Sequence, residues 1–271
     1  MLKVGYYQFC PRFGQIDLNL QRVVHALRAA EADLIVLPEL AFTGYCFRDR
    51  AELATLAENP RASATIDTLV ALCRERELYL VTGFAEKHAD RYFNSALLLG
   101  PTGVLHTYRK LHLFGVEKDY FDQGDLPLEV DSVHGVKLGM MVCFDWIFPE
   151  VARLLTLAGA DLICHPANLV LTYCQQAMTV RCIENLVFAV TANRHGTETR
   201  PHAELAFTGQ SQIVAPRGAV LHRAPADRDE LHVVAIDVEQ ARNKHLTDQN
   251  DILTDRRPAF YRGLCERPPA S

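Results

Sequence analysis

Short apolar runs of strand length recur along this chain between stretches of helical period, and that alternation leaves few architectures open. Leu2 to Phe9, Leu34 to Leu40 and Leu78 to Phe84 read as strands. Between them Asp17 is placed to cap a helix with an apolar face of Leu20, Val23, Val24, Leu27 and Ala30, and Ile66 to Arg76 repeats that period. Tyr92 to Leu99 is a further strand before Pro101-Thr102-Gly103 turns the chain into Val104 to Tyr108. The pattern resumes with strand Leu138 to Val142, helix Pro149 to Ala158, strand Leu162 to His165, helix Gln175 to Asn185 and strand Val187 to Ala192. Strands near Gln210 to Val214, Val220 to Arg223 and Leu231 to Val238 follow, then a short helix from Val238 to Lys244. Thr197 to Ala206 is polar and irregular and reads as a surface loop. Such alternation demands a layered α/β fold, without deciding between one sheet and two.

Three residues fall where strands end and carry chemistry that packing does not ask for. Cys143, in Met140-Met141-Val142-Cys143-Phe144-Asp145-Trp146, lies where an apolar strand gives way to a helix opened by Pro149. Such a turn can hold a thiol at the carboxyl edge of a sheet and aim backbone N–H groups at the atom it attacks. Glu39 ends the run Leu34 to Leu40; flanked by Leu37 and Leu40 it should be desolvated, as a general base requires. Lys110 follows the strand ending at Tyr108, among aromatic and aliphatic neighbours. About 4 Å from the sulfur at an effective dielectric near 20, its attraction would be about 4 kcal/mol. That is enough to hold Cys143 largely as thiolate at neutral pH.

Pro38-Glu39-Leu40, Tyr108-Arg109-Lys110-Leu111-His112-Leu113-Phe114 and Val142-Cys143-Phe144-Asp145 together resemble the three signatures of the nitrilase superfamily of carbon-nitrogen hydrolases. The likeness continues through His165-Pro166-Ala167-Asn168, Arg181 to Asn185 and the tail from Arg242 to Tyr261. It implies a four-layer α-β-β-α sandwich over residues 1–271 as a single domain, with 245–271 a tail that helps a partner subunit close an eight-layer homodimer or higher oligomer. It also implies a Glu39, Lys110, Cys143 triad and a second site acid at Glu117, with acyl transfer from nitrogen to sulfur and then to water. Tyr45, Phe144, Trp146 and Asn168 adjoin the signatures and are expected to line the substrate pocket, with Leu169 beside them. Phe144-Asp145 after the cysteine resembles amidases more than enzymes specific for nitriles, so a small aliphatic amide is the expected substrate. A small nitrile is the alternative, since Cys143-Phe144-Asp145-Trp146 also resembles some aliphatic nitrilases. A carbamoyl amide ranks third, because Leu169-Val170-Leu171 offers a substrate carboxylate no cation. A cysteine protease with His112 or His165 as base would leave Glu39 and Lys110 idle. A silent binding module would be expected to have lost a triad residue.

Composition narrows the rest. The 271 residues, 49% hydrophobic and 23% charged, can bury a sizeable core. No apolar run is long enough to span a bilayer, and Met1 leads directly into a strand, so a cytoplasmic protein is expected. A net charge of -5 with scattered Lys and Arg argues against nucleic acid. The 8 cysteines contain no C-x-x-C and the 11 histidines no H-E-x-x-H, so neither disulfides nor a metal is expected, and the acyl-transfer chemistry needs no cofactor.

Overall fold

The computed structural model describes residues 1–266. Its first half runs β1 (Leu2–Gln8), α1 (Ile16–Leu27), β2 (Leu34–Val36), α2 (Arg50–Leu56), α3 (Ala64–Arg76), β3 (Tyr79–His88), β4 (Arg91–Gly100), β5 (Gly103–Arg109) and α4 (Glu117–Tyr120). Then come β6 (Val130–Val133), β7 (Val136–Met140), a tight 3-10 turn at Cys143–Ile147, α5 (Pro149–Leu157), β8 (Leu162–Ala167), α6 (Cys174–Asn185) and β9 (Phe188–Asn193). The chain continues through β10 (His195–Arg200), β11 (Ala203–Thr208), β12 (Gln212–Val214), β13 (Val220–Arg223), β14 (Glu230–Ile236), α7 (Glu239–Arg242), β15 (His245–Thr247) and β16 (Asn250–Asp251).

Two six-stranded sheets form, in the orders β14-β1-β2-β3-β4-β5 and β13-β12-β9-β8-β7-β6. Each has three adjacent parallel strands, β1-β2-β3 in one and β7-β8-β9 in the other, flanked by antiparallel neighbours. The two halves of the chain therefore repeat one βαβ plan, and the sequence alternation reflects that repetition. Side chains alternate across β2: Leu34 and Val36 enter the cluster that includes Leu138, Met140, Leu162 and Cys164 of the other sheet. Ile35 and Leu37 point the other way, into a cluster with Val23 and Leu27 of α1 and Leu69 and Leu72 of α3. Sheet packs on sheet with helices outside, the expected α-β-β-α order.

Several boundaries differ from the sequence reading. The strand expected over Leu34 to Leu40 is regular only to Val36: Leu37 N–H and the Pro38 carbonyl still bond β3, but Pro38 has no N–H to donate and Leu40 takes a left-handed φ of 49°. Gln15, not Asp17, occupies the cap of α1, and Asp17 sits in its first turn, where a negative charge suits the helix dipole. The segment Thr197 to Ala206 is not a plain loop but most of the paired hairpin β10-β11, in register from His195–Thr208 to Arg200–Ala203. The helix α2, capped by Asp49 through the Glu52 N–H, was not anticipated. Among the described residues no helix is long and apolar enough to cross a membrane. Part of the expected tail, beyond Glu266, lies outside the described residues.

Candidate active site

Glu39, Cys143 and Asn168 each stand just past the carboxyl end of a parallel strand, β2, β7 and β8 respectively, where open α/β sheets place their ligands. Lys110 follows the antiparallel β5 and reaches the same point. Glu39 gets there because Gly83 on β3 has no side chain: a Cβ on Gly83 would meet Glu39 Cα at 2.3 Å. Glu39, Lys110 and Glu117 are fully buried and Cys143 is 6% exposed. Lys110 Nζ donates to Glu39 Oε1 at 2.7 Å and lies 2.8 Å from Glu117 Oε2. One cation thus faces two carboxylates, and the structure brings together the four residues expected to share a site.

The turn carrying Cys143 is strained and then braced. Cys143 has φ of 40°, a conformation that residues other than glycine rarely adopt. Asp145 Oδ2 accepts the Val142 N–H at 2.9 Å and the Tyr108 hydroxyl at 2.7 Å, while Oδ1 accepts the His112 N–H at 3.2 Å. Asp145 therefore ties the turn bearing Cys143 to the segment bearing Lys110. His165, fully buried on β8, places Nε2 2.9 Å from the Cys143 carbonyl and Nδ1 3.1 Å from Thr191 Oγ1. Burial pulls its imidazole down to about 4, so the ring is neutral and holds the turn rather than removing a proton from sulfur. His112 instead bonds Asp145 and stacks on Phe148 with ring centroids 3.6 Å apart. Neither histidine is bonded to the sulfur, which removes the geometric basis of the protease reading.

The electrostatics correct one expectation. Burial, then the Glu39 carboxylate, push the Cys143 thiol well above its ordinary value, and the Lys110 cation reverses only part of that. Cys143 rests as a thiol, not the thiolate the isolated Lys110 argument implied, because that argument omitted desolvation and two nearby carboxylates. Burial works to lower Lys110, but Glu117 and Glu39 outweigh it and hold the ammonium well above its ordinary value, firmly charged. Burial raises the Glu117 carboxyl against the pull of Lys110.

The expected pocket residues divide. Tyr45 donates its hydroxyl to Glu117 Oε1, so it is part of the charged network. Asn168 donates Nδ2 to the Glu39 carbonyl at 2.9 Å, and its backbone N–H favours the ionised sulfur. Phe144 packs against Phe114 and Phe148 and lines a cleft of about 470 Å³ with His112, Leu113 and Lys118. Trp146 is buried edge-on against Tyr173 at the start of α6, and the described contacts do not bring it to the charged group. Leu169 is buried and donates its backbone N–H to Asn193 Oδ1. Sequence reasoning missed Asn94, whose Nδ2 donates to Glu39 Oε1 at 2.7 Å, although a polar residue inside the apolar run of β4 was a readable signal. It also treated Asp145 only as a marker of substrate type. His222, Glu230 and His232 form a cluster that could hold a metal, but the two rings stack 3.4 Å apart at 9°, so their in-plane lone pairs do not converge.

Residues 3–245 match the sequence profile of the carbon-nitrogen hydrolases. The chain belongs to that family, the nitrilase superfamily. This hydrolase is 43% identical over 264 residues to a nitrilase of Pyrococcus abyssi, covering 96% of this chain and 99% of that protein. It is 36% identical to an (R)-stereoselective amidase of a Pseudomonas species, covering 98% and 96% of the two chains. An amidase from Nesterenkonia sp. AN1, solved with acrylamide added to its active-site cysteine, superposes with a TM-score of 0.83 at 26% identity, over 97% of this chain and all of that one. The hydrolase acts on non-peptide carbon–nitrogen bonds, as nitrilases and amidases do.

Proposed function

We propose that the enzyme hydrolyses small, uncharged aliphatic amides to the carboxylic acid and ammonia through a thioester on Cys143. The carrying observation is a set of buried acceptors around Glu39: Glu39 Oε2, Asn94 Oδ1 and Asn168 Oδ1 find no donor among the described residues. A buried acceptor left unpaired costs about 1–3 kcal/mol. A primary amide brings two N–H donors on its leaving nitrogen that such acceptors can take, whereas a nitrile brings none. The near-complete burial of Cys143, Lys110, Glu39 and Glu117 supports a compact substrate. Lys110 is already matched by two carboxylates, so it is not a free counter-charge for a substrate carboxylate.

Glu39 takes the thiol proton as sulfur attacks the amide carbon, which suits a thiol that burial keeps protonated. Lys110 and the Phe144 backbone N–H, among the first N–H groups of a helical turn and so outside its hydrogen bonding, receive the developing oxyanion. Glu39 passes its proton to the nitrogen, the C–N bond breaks, and ammonia leaves a thioester. Water, deprotonated by Glu39, adds to the thioester; collapse expels the sulfur, which recovers its proton, and releases the acid. Glu117 keeps Lys110 charged and in place throughout.

A nitrile is the second reading, favoured by the identity to the Pyrococcus abyssi protein named a nitrilase. Sulfur would add to the nitrile carbon to give a thioimidate, and a water would then replace its nitrogen to reach the same thioester. Ammonia release over amides, nitriles and carbamoyl amino acids of matched acyl size decides between them. Amides should show the highest kcat/KM. Faster nitrile turnover would promote the second reading, and a carbamoyl amino acid as best substrate would overturn the pocket argument. We also infer that the chain, read as a single domain, works as a dimer or larger homo-oligomer. Leu154 and Leu157 of α5, Val180 and Ile183 of α6, and Phe260 and Leu264 of the tail are apolar and exposed.

A further inference from the structure

Besides the Lys110 cluster and the Arg109–Glu86 pair, the chain buries an Arg194–Glu198 ion pair that the reaction as described leaves unused. Arg194 follows β9, is fully buried, and donates Nη1 to Glu198 Oε2 at 2.6 Å and Nη2 to the Pro11 carbonyl at 3.2 Å. Glu198 belongs to the β10-β11 hairpin and is 5% exposed. Its Oε1 accepts two successive backbone N–H groups, those of Tyr45 at 3.1 Å and Cys46 at 2.5 Å. Gly44 makes this possible. It has φ of 81°, and a Cβ there would stand 2.8 Å from Phe13 Cα and 3.0 Å from Glu198 Oε2. The two N–H groups form a backbone nest around one carboxylate oxygen. Phe207 of β11 completes the arrangement, with the Arg194 guanidinium 4.1 Å from its ring centroid and the Tyr45 ring edge-on at 5.9 Å.

Beyond that nest, the Tyr45 hydroxyl donates to Glu117 Oε1, and Glu117 holds Lys110. The contacts therefore run unbroken from a surface hairpin to the cation at the reacting centre. A buried ion pair is weak evidence for stability, since its desolvation cost can exceed the attraction, so its presence asks for another account. We propose that Glu198 is a positioning residue: it fixes the backbone at Tyr45 and Cys46, thereby holds the Tyr45 hydroxyl on Glu117, and so sets where Lys110 stands against the attacked carbonyl. The inference rests on the reading of Lys110 and Glu117 given above. Misplacing a catalytic group by about 1 Å can cost about a hundredfold in rate. The Tyr45 hydroxyl is also among the contacts that pull the Glu117 carboxyl down against the upward push of burial, so loosening Tyr45 lets Glu117 hold its proton to higher pH.

The test is Glu198→Asp, which keeps the charge facing Arg194 but draws the carboxylate back from the two N–H groups by one methylene. It should lower kcat about 10- to 100-fold, with KM nearly unchanged because the substrate contacts remain. The acid limb of the kcat profile should move to higher pH. In a Tyr45→Phe background the same substitution should add little, because its route to Lys110 is already cut. If Glu198→Asp fails to fold, Glu198→Gln carries the same measurements. A purely structural role predicts a lower melting temperature with kcat and its pH limb unmoved, and that result overturns the proposal. So does an equal loss of kcat in the wild-type and Tyr45→Phe backgrounds. Glu117→Gln is the control: full activity there refutes the reading of the site itself, while impaired Glu117→Gln beside unimpaired Glu198→Asp refutes the positioning role alone.

Discussion

His165 should make the turn that carries the nucleophile acid-labile by a calculable amount. Its imidazole is held at about 4 against an ordinary 6.5 because burial disfavours the charged ring. The unfolded chain therefore binds this proton more readily than the native one, and stability falls as pH drops below the unfolded value. The loss begins near 6.5 and is complete below about 4. Across the full interval it amounts to about 3 kcal/mol, and at pH 5 to about 2 kcal/mol, against a typical total of about 5–15 kcal/mol. His165→Gln isolates the effect: the amide can still donate to the Cys143 carbonyl but does not titrate in this range. Urea unfolding of both proteins between pH 7.5 and 5 should show the variant weaker at pH 7.5 yet losing about 2 kcal/mol less on acidification. The carboxylates titrate in both proteins and cancel in the difference. An acid loss of equal size in the two would refute the argument that a buried neutral His165 braces the turn.

Cys143→Ala should abolish turnover with an unchanged circular dichroism spectrum and melting curve near wild type, whereas replacing any other cysteine should spare most activity; residual turnover in Cys143→Ala would remove it as nucleophile. Lys110→Met should lower kcat by about two to three powers of ten, as loss of one oxyanion donor does, and should destabilise the fold, since Glu39 and Glu117 would be left buried without a cation. Full activity in that variant would rule out the oxyanion role. Because burial keeps the resting thiol protonated, alkylation of Cys143 in the free enzyme should be slow at neutral pH and accelerate only in alkaline solution; fast labelling at pH 7 would show a resting thiolate instead. Light scattering at micromolar concentration should give at least twice the chain mass, and a monomeric mass would contradict the oligomer.

The sequence by itself determined the alternation of strands and helices and, through the family signatures, the grouping of Glu39, Lys110 and Cys143. Strand and helix periods are local, so Leu34 to Val36 and the helix after Pro149 could be read from neighbouring residues alone. Glu39, Lys110 and Cys143 were legible because each interrupts an apolar pattern with a group whose burial needs a reason, and the family signatures fixed their grouping. Tertiary structure alone decided what each group's charge would be. Lys110 seen singly should acidify Cys143, but the folded chain adds full burial and two carboxylates whose sequence positions carry no distance, and these reverse the sign. The same holds for Asp145, His165 and Glu198, whose meaning lies in hydrogen bonds to residues 33, 22 and 153 positions away. A sequence records which donors and acceptors exist. Only packing chooses among their many possible partners, because desolvation and hydrogen-bond geometry act through space and not along the chain.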